Sequence, residues 1–121
     1  MKLNHQTLYE ALQRVVGKPL LSVDFVEDYV QLEWQGSFLT AYTAPKVLEG
    51  GIEYGFESPD YRRVMHKLEG QVLSNVDVIL GNKISFLFSS STLLTVSLRD
   101  ADYLGPEAVQ FGGVDSLLWV V

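Results

Sequence analysis

The sequence carries one pattern twice: a helix signal, a glycine, and three segments in which apolar and polar residues alternate. The two copies, residues 7–42 and 60–98, align with a shift of 53 residues that places Gly17 over Gly70. Alternation with a period of two is typical of half-buried strands, and a glycine commonly ends a helix. The pattern therefore predicts a duplicated helix–strand–strand–strand unit. A single repetition indicates one pseudo-symmetric domain over residues 1–121, because solenoids need three or more units.

The predicted fold class is α+β, with a mainly antiparallel sheet of six or seven strands and two packed helices. The first helix is expected to start near Thr7, which forms a capping box with Glu10, and to end at Gly17. In the second helix, Ser58 is the expected N-cap and Pro59 the first helical residue. The helices are predicted to cover one curved sheet. Two three-stranded sheets that face each other remain the alternative.

A two-residue turn at Gln35-Gly36 sets the strand register of the first unit. It predicts the pairs Trp34–Ser37, Leu32–Leu39 and Val30–Ala41. In the second unit, a loop of odd length predicts the pairs Phe86–Leu94 and Ile84–Val96. The side chains on these inward faces are expected to form the core with one stripe of each helix: Leu12, Val15, Val30, Leu32, Trp34, Leu39, Val64, Leu68, Ile84, Phe86, Phe88, Leu94 and Val96.

The remaining segments are expected to be less regular. Residues 43–58 are interpreted as a loop because they contain Pro45 and several glycines. One short helical turn is predicted to start at Pro106, and Gly112-Gly113 is read as a break. The apolar run Leu117–Val121 is predicted to be a buried last strand.

Composition argues against several classes of protein. The chain of 121 residues has no cysteine and a formal charge of −6. Its cations are scattered, with one adjacent pair at Arg62-Arg63, so no nucleic-acid partner is predicted. No signal peptide and no membrane-spanning run are recognised, and a soluble cytoplasmic protein is expected. His5 and His66 lack partners at the spacing of metal ligands, so no metal site is predicted. No cofactor and no catalytic residue is predicted either.

Exposed apolar side chains give the first candidate site. Tyr29, Phe38 and Tyr42 are expected to share the face opposite the core in the first unit, as are Leu87 and Leu93 in the second. A contiguous apolar patch often marks an interface. The patch is interpreted as covered within the chain, as an interface with a protein partner or a second copy, or as an aromatic-lined pocket for a small molecule.

Acidic residues give the second candidate site. They cluster in the first strand and turn, at Asp24, Glu27 and Asp28, and around the long loop, at Glu49, Glu53, Glu57 and Asp60. Such a surface would attract a basic partner. The function hypothesis is therefore a non-enzymatic interaction protein that binds a basic protein, reminiscent in size and charge of toxin-neutralising immunity proteins. The alternative is a small-molecule-binding domain.

Several short motifs carry a resemblance over nearly the whole chain. They are Gly17 with Val23, the segment Tyr29–Trp34, Tyr61-Arg62, the segment Leu68–Gly70 with Val76, Leu98, and the segment Asp102–Ala108. In these motifs the chain resembles a family of small bacterial proteins that has no assigned activity. The resemblance implies the fold and implies nothing about a mechanism.

Overall fold

The computed structural model of the chain describes residues 5–27, 29–103, 108–113 and 118–120. Within these residues there are two α-helices, α1 (His5–Leu12) and α2 (Tyr61–His66), and ten strands. The strands are β1 (Ser22–Val26), β2 (Tyr29–Trp34), β3 (Ser37–Ala41), β4 (Lys46–Glu49), β5 (Ile52–Tyr54), β6 (Leu73–Ile79), β7 (Lys83–Phe88), β8 (Leu93–Ser97), β9 (Val109–Gly113) and β10 (Leu118–Val120). Short 3₁₀ segments follow α1 at Gln13–Val15 and β8 at Asp100–Asp102.

The strands form two antiparallel sheets of five. The first sheet has the order β1-β2-β3-β9-β10, and the second has the order β5-β4-β8-β7-β6. The hairpin β4–β5 follows β3 along the chain but pairs with β8, whereas the hairpin β9–β10 follows β8 but pairs with β3. Each sheet therefore contains a three-strand meander from one part of the chain and a hairpin from the other part.

The α+β class is confirmed, but the single sheet of six or seven strands is wrong. The difference arises from residues 43–58, which were expected to be a loop and instead supply β4 and β5. In this hairpin Val47 is the one fully buried side chain, so the sequence lacks the apolar alternation that marks a strand. Strand β9 likewise replaces the expected break at Gly112-Gly113. The apolar run at the end of the chain does contain a strand, β10.

The predicted strand registers are confirmed. Trp34 pairs with Ser37 and Leu32 with Leu39 across β2 and β3. Phe86 pairs with Leu94 across β7 and β8, as the odd loop requires. Because the register decides which side chains face inward, the outward-facing residues of both meanders follow from the same pairs.

One hydrophobic core lies between the inner faces of the two sheets. Trp34 of the first sheet stacks on Phe86 of the second with ring centroids 6.2 Å apart. Every residue of the predicted core is buried. The sequence interpretation missed further core members in β4 and β9, namely Val47, Val109 and Phe111.

The helices pack against the edges of the sheets, α1 on β6 and α2 on β1. Helix α1 already includes His5, so Thr7 lies inside the helix and not at its start. Helix α2 begins at Tyr61, two residues later than expected, because the Ser58 hydroxyl accepts a hydrogen bond from the Gly55 amide at 3.0 Å and does not cap the helix. The Tyr61 hydroxyl donates to the Pro45 carbonyl at 2.6 Å, which ties α2 to the segment before β4.

No helix in the described part of the chain is long and apolar enough to cross a membrane. The predicted turn at Pro106 and the acidic residue Asp28 lie outside the described residues.

Candidate functional site

The predicted aromatic residues lie on the outer face of the first sheet. Tyr29 and Tyr42 contact each other, with ring centroids 5.5 Å apart. Phe38 is on the same face of β3, but the buried Thr40 separates it from Tyr42. All three aromatic side chains are half-buried. They therefore form a Tyr29–Tyr42 pair and a separate Phe38, and they do not line one pocket.

The predicted leucines lie on the outer face of the second sheet, where a third leucine joins them. Leu93 pairs with Leu87 on one side and with Leu48 on the other. Leu48 and Leu87 are 41% and 38% exposed, respectively. We call Leu48, Leu93 and Leu87 the leucine row. Sequence reasoning missed Leu48 because it lies in the segment that was interpreted as a loop.

The predicted acidic residues are distributed over several elements. Asp24 lies in β1, and Glu27 lies in the turn that follows it. Two of the other carboxylates are in ion pairs: Glu49 with Lys67 at 3.0 Å and Asp60 with Arg63 at 3.4 Å. Glu53 and Glu57 are exposed, in β5 and in the segment before α2.

A groove of about 470 Å³ opens on the outer face of the second sheet, beside the leucine row. Strand pairing builds its centre: Lys46 of β4 pairs with Thr95 of β8, and Lys83 of β7 pairs with Ser97 of β8. Their inward-facing neighbours in β8, Leu94 and Val96, belong to the core, so all four polar side chains face outward. The full lining is Thr43, Ala44, Lys46, Glu53, Asn82, Lys83, Thr95, Ser97, Arg99 and Asp102.

Hydrogen bonds hold the rim of the groove around Ser97. The Ser97 hydroxyl donates to the Asp102 carboxylate at 2.6 Å and accepts from the Arg99 amide at 3.2 Å. The Thr43 hydroxyl, which is buried, donates to the Ser97 carbonyl at 2.9 Å. The Leu98 amide donates to the Asn82 carbonyl at 2.8 Å, which fixes the turn between β6 and β7 against the end of β8. These bonds therefore join the end of β8 to the segment after β3 and to the turn between β6 and β7.

The cations of the groove are unpaired within the described part of the chain. Lys46, Lys83 and Arg99 have no side-chain hydrogen bond, ion pair or ring contact there. The other described cations each have an interaction: Lys18 with the Gln35 carbonyl, Arg62 over the Phe25 ring, Arg63 and Lys67 in ion pairs, and Arg14. The groove thus gathers the three described cations whose side chains make no ion pair, hydrogen bond or ring contact.

Two carboxylates, Glu53 and Asp102, also line the groove, so its cationic excess is modest. The residue after Asp102 is Tyr103, whose pKa is raised by burial and by the negative charge of Asp100. The Tyr103 phenol is therefore protonated at neutral pH. Among the described residues, no group of three His, Asp or Glu side chains is arranged to hold a metal ion. The chemistry offered by the groove is that of ammonium, guanidinium and hydroxyl donors.

Fold and groove together define the chain as an α+β protein of two facing sheets with a cationic groove on one outer face. A comparison with known protein families, curated proteins and solved structures finds no match.

Sequence reasoning missed the groove because its cations are far apart in the chain. The sequence did indicate one part of the groove, because the predicted pair Ile84–Val96 places Lys83 opposite Ser97. No comparable signal existed for Lys46, which lies in a strand that the sequence did not reveal.

Proposed function

We propose that this chain is a binding protein for a small anionic molecule that it holds in the groove. The observation that carries the proposal is the convergence of Lys46, Lys83 and Arg99, which are unpaired within the described residues, around the hydroxyls of Thr95 and Ser97. Bringing like charges together on one surface costs free energy unless an anion compensates them. A bound carboxylate or phosphate would supply that compensation and accept a hydrogen bond from the Thr95 hydroxyl.

The shape and charge of the groove favour a compact anion over a long polyanion. Glu53 and Asp102 stand at the groove, where they would repel a phosphate backbone that continued past the three cations. A small molecule with one or two carboxylate or phosphate groups fits between the cations without approaching both acids. The pocket for a small molecule is therefore polar and lies on the second sheet, whereas the sequence had suggested aromatic side chains.

Isothermal titration calorimetry with inorganic phosphate and with citrate tests the proposal. The test variant replaces Lys46, Lys83 and Arg99 with Gln, and the control replaces Lys18, Arg63 and Lys67 with Gln, so that both variants have the same net charge. We expect the wild type and the control to bind at least one of the two anions, with an affinity that falls as salt is added. We expect no binding by the test variant. Equal binding by the two variants would contradict the proposal.

A second proposal, binding of a basic protein partner, is supported by the net charge of −6 and by the exposed carboxylates Asp24, Glu27, Glu53 and Glu57. Such a partner would associate faster at low salt because exposed charges steer the encounter. A pull-down from the native host at low and at high salt tests this proposal. Recovery of no basic protein at either salt concentration would remove it. We also propose a cytoplasmic location, which fractionation of the native host followed by immunoblotting for this chain tests.

We also propose that the chain is a duplicated unit, and hydrogen bonds between the halves support this. The Gly17 amide donates to the Leu73 carbonyl at 2.8 Å, and the Gly70 amide donates to the Leu20 carbonyl at 2.7 Å. Adding 53 to the numbers of Gly17 and Leu20 gives Gly70 and Leu73. The shift that aligns the two halves therefore converts each of these hydrogen bonds into the other. Three further features obey the same rule: the bonds Leu20–Gln71 and Leu73–Lys18, the bridge between Pro19 and Val72, and φ values of 88° and 87° at Gly17 and Gly70.

Strand order supports the duplication as well. In chain order, β1, β2 and β3 of the first half correspond to β6, β7 and β8 of the second, and the hairpin β4–β5 corresponds to β9–β10. Under this relation the pairing of β3 with β9 becomes the pairing of β8 with β4, and both pairings are present. The proposal predicts that the two halves of an experimental structure superpose as units that exchange their last hairpins. Different strand pairing in the two halves would contradict it.

A further inference from the structure

We infer that the groove and the leucine row form one site for an amphiphilic anion, whose charged group lies among Lys46, Lys83 and Arg99 and whose alkyl portion lies along the leucines. This inference rests on the proposed function and specifies the class of ligand. It follows from the order of side chains along β8, where Leu93, Thr95 and Ser97 all face outward. The outer face thus changes from apolar to hydroxyl-bearing and cationic along a single strand.

Strand geometry gives the dimensions of the combined site. Residues two apart on a strand are separated by about 7 Å, and neighbouring strands by about 4.8 Å. Leu93 therefore lies about 7 Å from Thr95 and about 14 Å from Ser97, and the leucine row spans about 10 Å across β4, β8 and β7. An extended eight-carbon chain is about 9 Å long, because its seven bonds of about 1.5 Å each follow a zigzag. A medium-chain carboxylate is thus long enough to reach from the cations to the leucines.

Exposure and charge point to the same occupant. Leu48 and Leu87 are 41% and 38% exposed, respectively, so this face keeps apolar surface in contact with water. Apolar side chains left next to unpaired cations fit a ligand that carries both properties, because its alkyl part removes the leucines from water while its anionic part compensates the lysines. A purely polar anion would use only half of this surface.

The test is a calorimetric titration with sodium butyrate, hexanoate and octanoate, each below its micelle concentration. Complete burial of a methylene at about 0.8 kcal/mol corresponds to about a four-fold gain in affinity, and partial burial on an open face to about two-fold. We expect affinity to rise by about two-fold per added methylene from butyrate to octanoate. In Leu93→Ser we expect this rise to become smaller, so that octanoate loses more affinity than butyrate does. Leu21→Ser removes an exposed leucine near the first sheet and is expected to keep the rise.

Failure of the inference and failure of the proposed function give different results. If the wild type binds butyrate and octanoate with equal affinity and still binds phosphate or citrate, the inference is overturned. The proposed function of the groove is then unaffected. If none of these anions binds, both the inference and the proposed function are contradicted. Binding to vesicles of anionic lipid without a gain from butyrate to octanoate would also overturn the inference, in favour of a membrane surface. The comparison within the wild type decides the matter even if Leu93→Ser fails to fold.

Discussion

At the scale of single residues, the Glu69 carboxylate accepts a hydrogen bond from a backbone amide at the open edge of the first sheet. Strand β1 is an edge strand, and its Val23 amide donates to the Glu69 carboxylate at 2.8 Å. The same carboxylate lies 3.3 Å from Nδ1 of His66. The hydrogen bond from Val23 is the main reason why the pKa of Glu69 is lowered, with a smaller contribution from His66. An ionised Glu69 therefore stabilises the packing of α2 against β1.

Replacement of Glu69 with Gln tests this role through its pH dependence. Because the folded-state pKa is below the ordinary value of 4.5, the stabilisation is present above pH 4.5 and is lost as the pH falls through the folded pKa. We expect the wild type to be more stable than Glu69→Gln at neutral pH, and the difference to shrink below pH 4.5. Urea midpoints measured from pH 7 to pH 3 provide the comparison. A difference that does not change over this range would mean that the charge of Glu69 does not contribute.

At the scale of elements, the alternation in β7 separates core residues from surface residues. Phe86 is fully buried against Trp34, whereas the next residue, Leu87, faces outward in the leucine row. We expect Phe86→Ala to lower the free energy of unfolding by about 3–5 kcal/mol, because it leaves a cavity between the sheets. We expect the matched change Leu87→Ala to cost less than about 1 kcal/mol. Chemical denaturation of both variants measures these effects, and similar losses would contradict the register.

The contact between α2 and the segment before β4 gives a second prediction at this scale. Tyr61→Phe removes the hydrogen bond to the Pro45 carbonyl and leaves that buried acceptor without its partner. We expect a loss of about 1–3 kcal/mol in the free energy of unfolding. Tyr54→Phe, which changes a half-buried tyrosine in the adjacent hairpin, serves as the control. A loss of under about 0.5 kcal/mol in Tyr61→Phe would show that water replaces the bond.

The elements that sequence reasoning predicted are those whose apolar alternation is continuous and whose turns are short. Strands β2 and β3 meet both conditions, and their register follows from the turn at Gln35-Gly36. The hairpin β4–β5 has an equally short turn at Gly50-Gly51, but it lacks the alternation, because its pairing with β8 is long-range and leaves most of its side chains exposed. Lys46 and Leu48 belong to this hairpin. The sequence therefore allowed only the parts of the groove and of the leucine row that lie in β7 and β8 to be predicted.

At the scale of the whole molecule, the exchanged hairpins make the two parts of the chain depend on each other. Strands β4 and β5 complete the second sheet, and β9 and β10 complete the first. We predict that cleavage at a protease site inserted into residues 55–58, between β5 and α2, leaves both fragments in one complex. Size-exclusion chromatography before and after addition of denaturant measures this. Separation of the fragments in native buffer would contradict the exchange.

The groove is also a property of the whole molecule, because it needs β4 from one part of the chain and β7 and β8 from the other. The most direct test is an amide ¹H–¹⁵N NMR titration of the wild type with citrate and phosphate. We predict that the shift changes concentrate at Lys46, Lys83, Thr95, Ser97 and Arg99, and that the outer face of the first sheet around Tyr29 and Tyr42 does not respond. Shift changes confined to the first sheet, or none with either anion, would contradict the account.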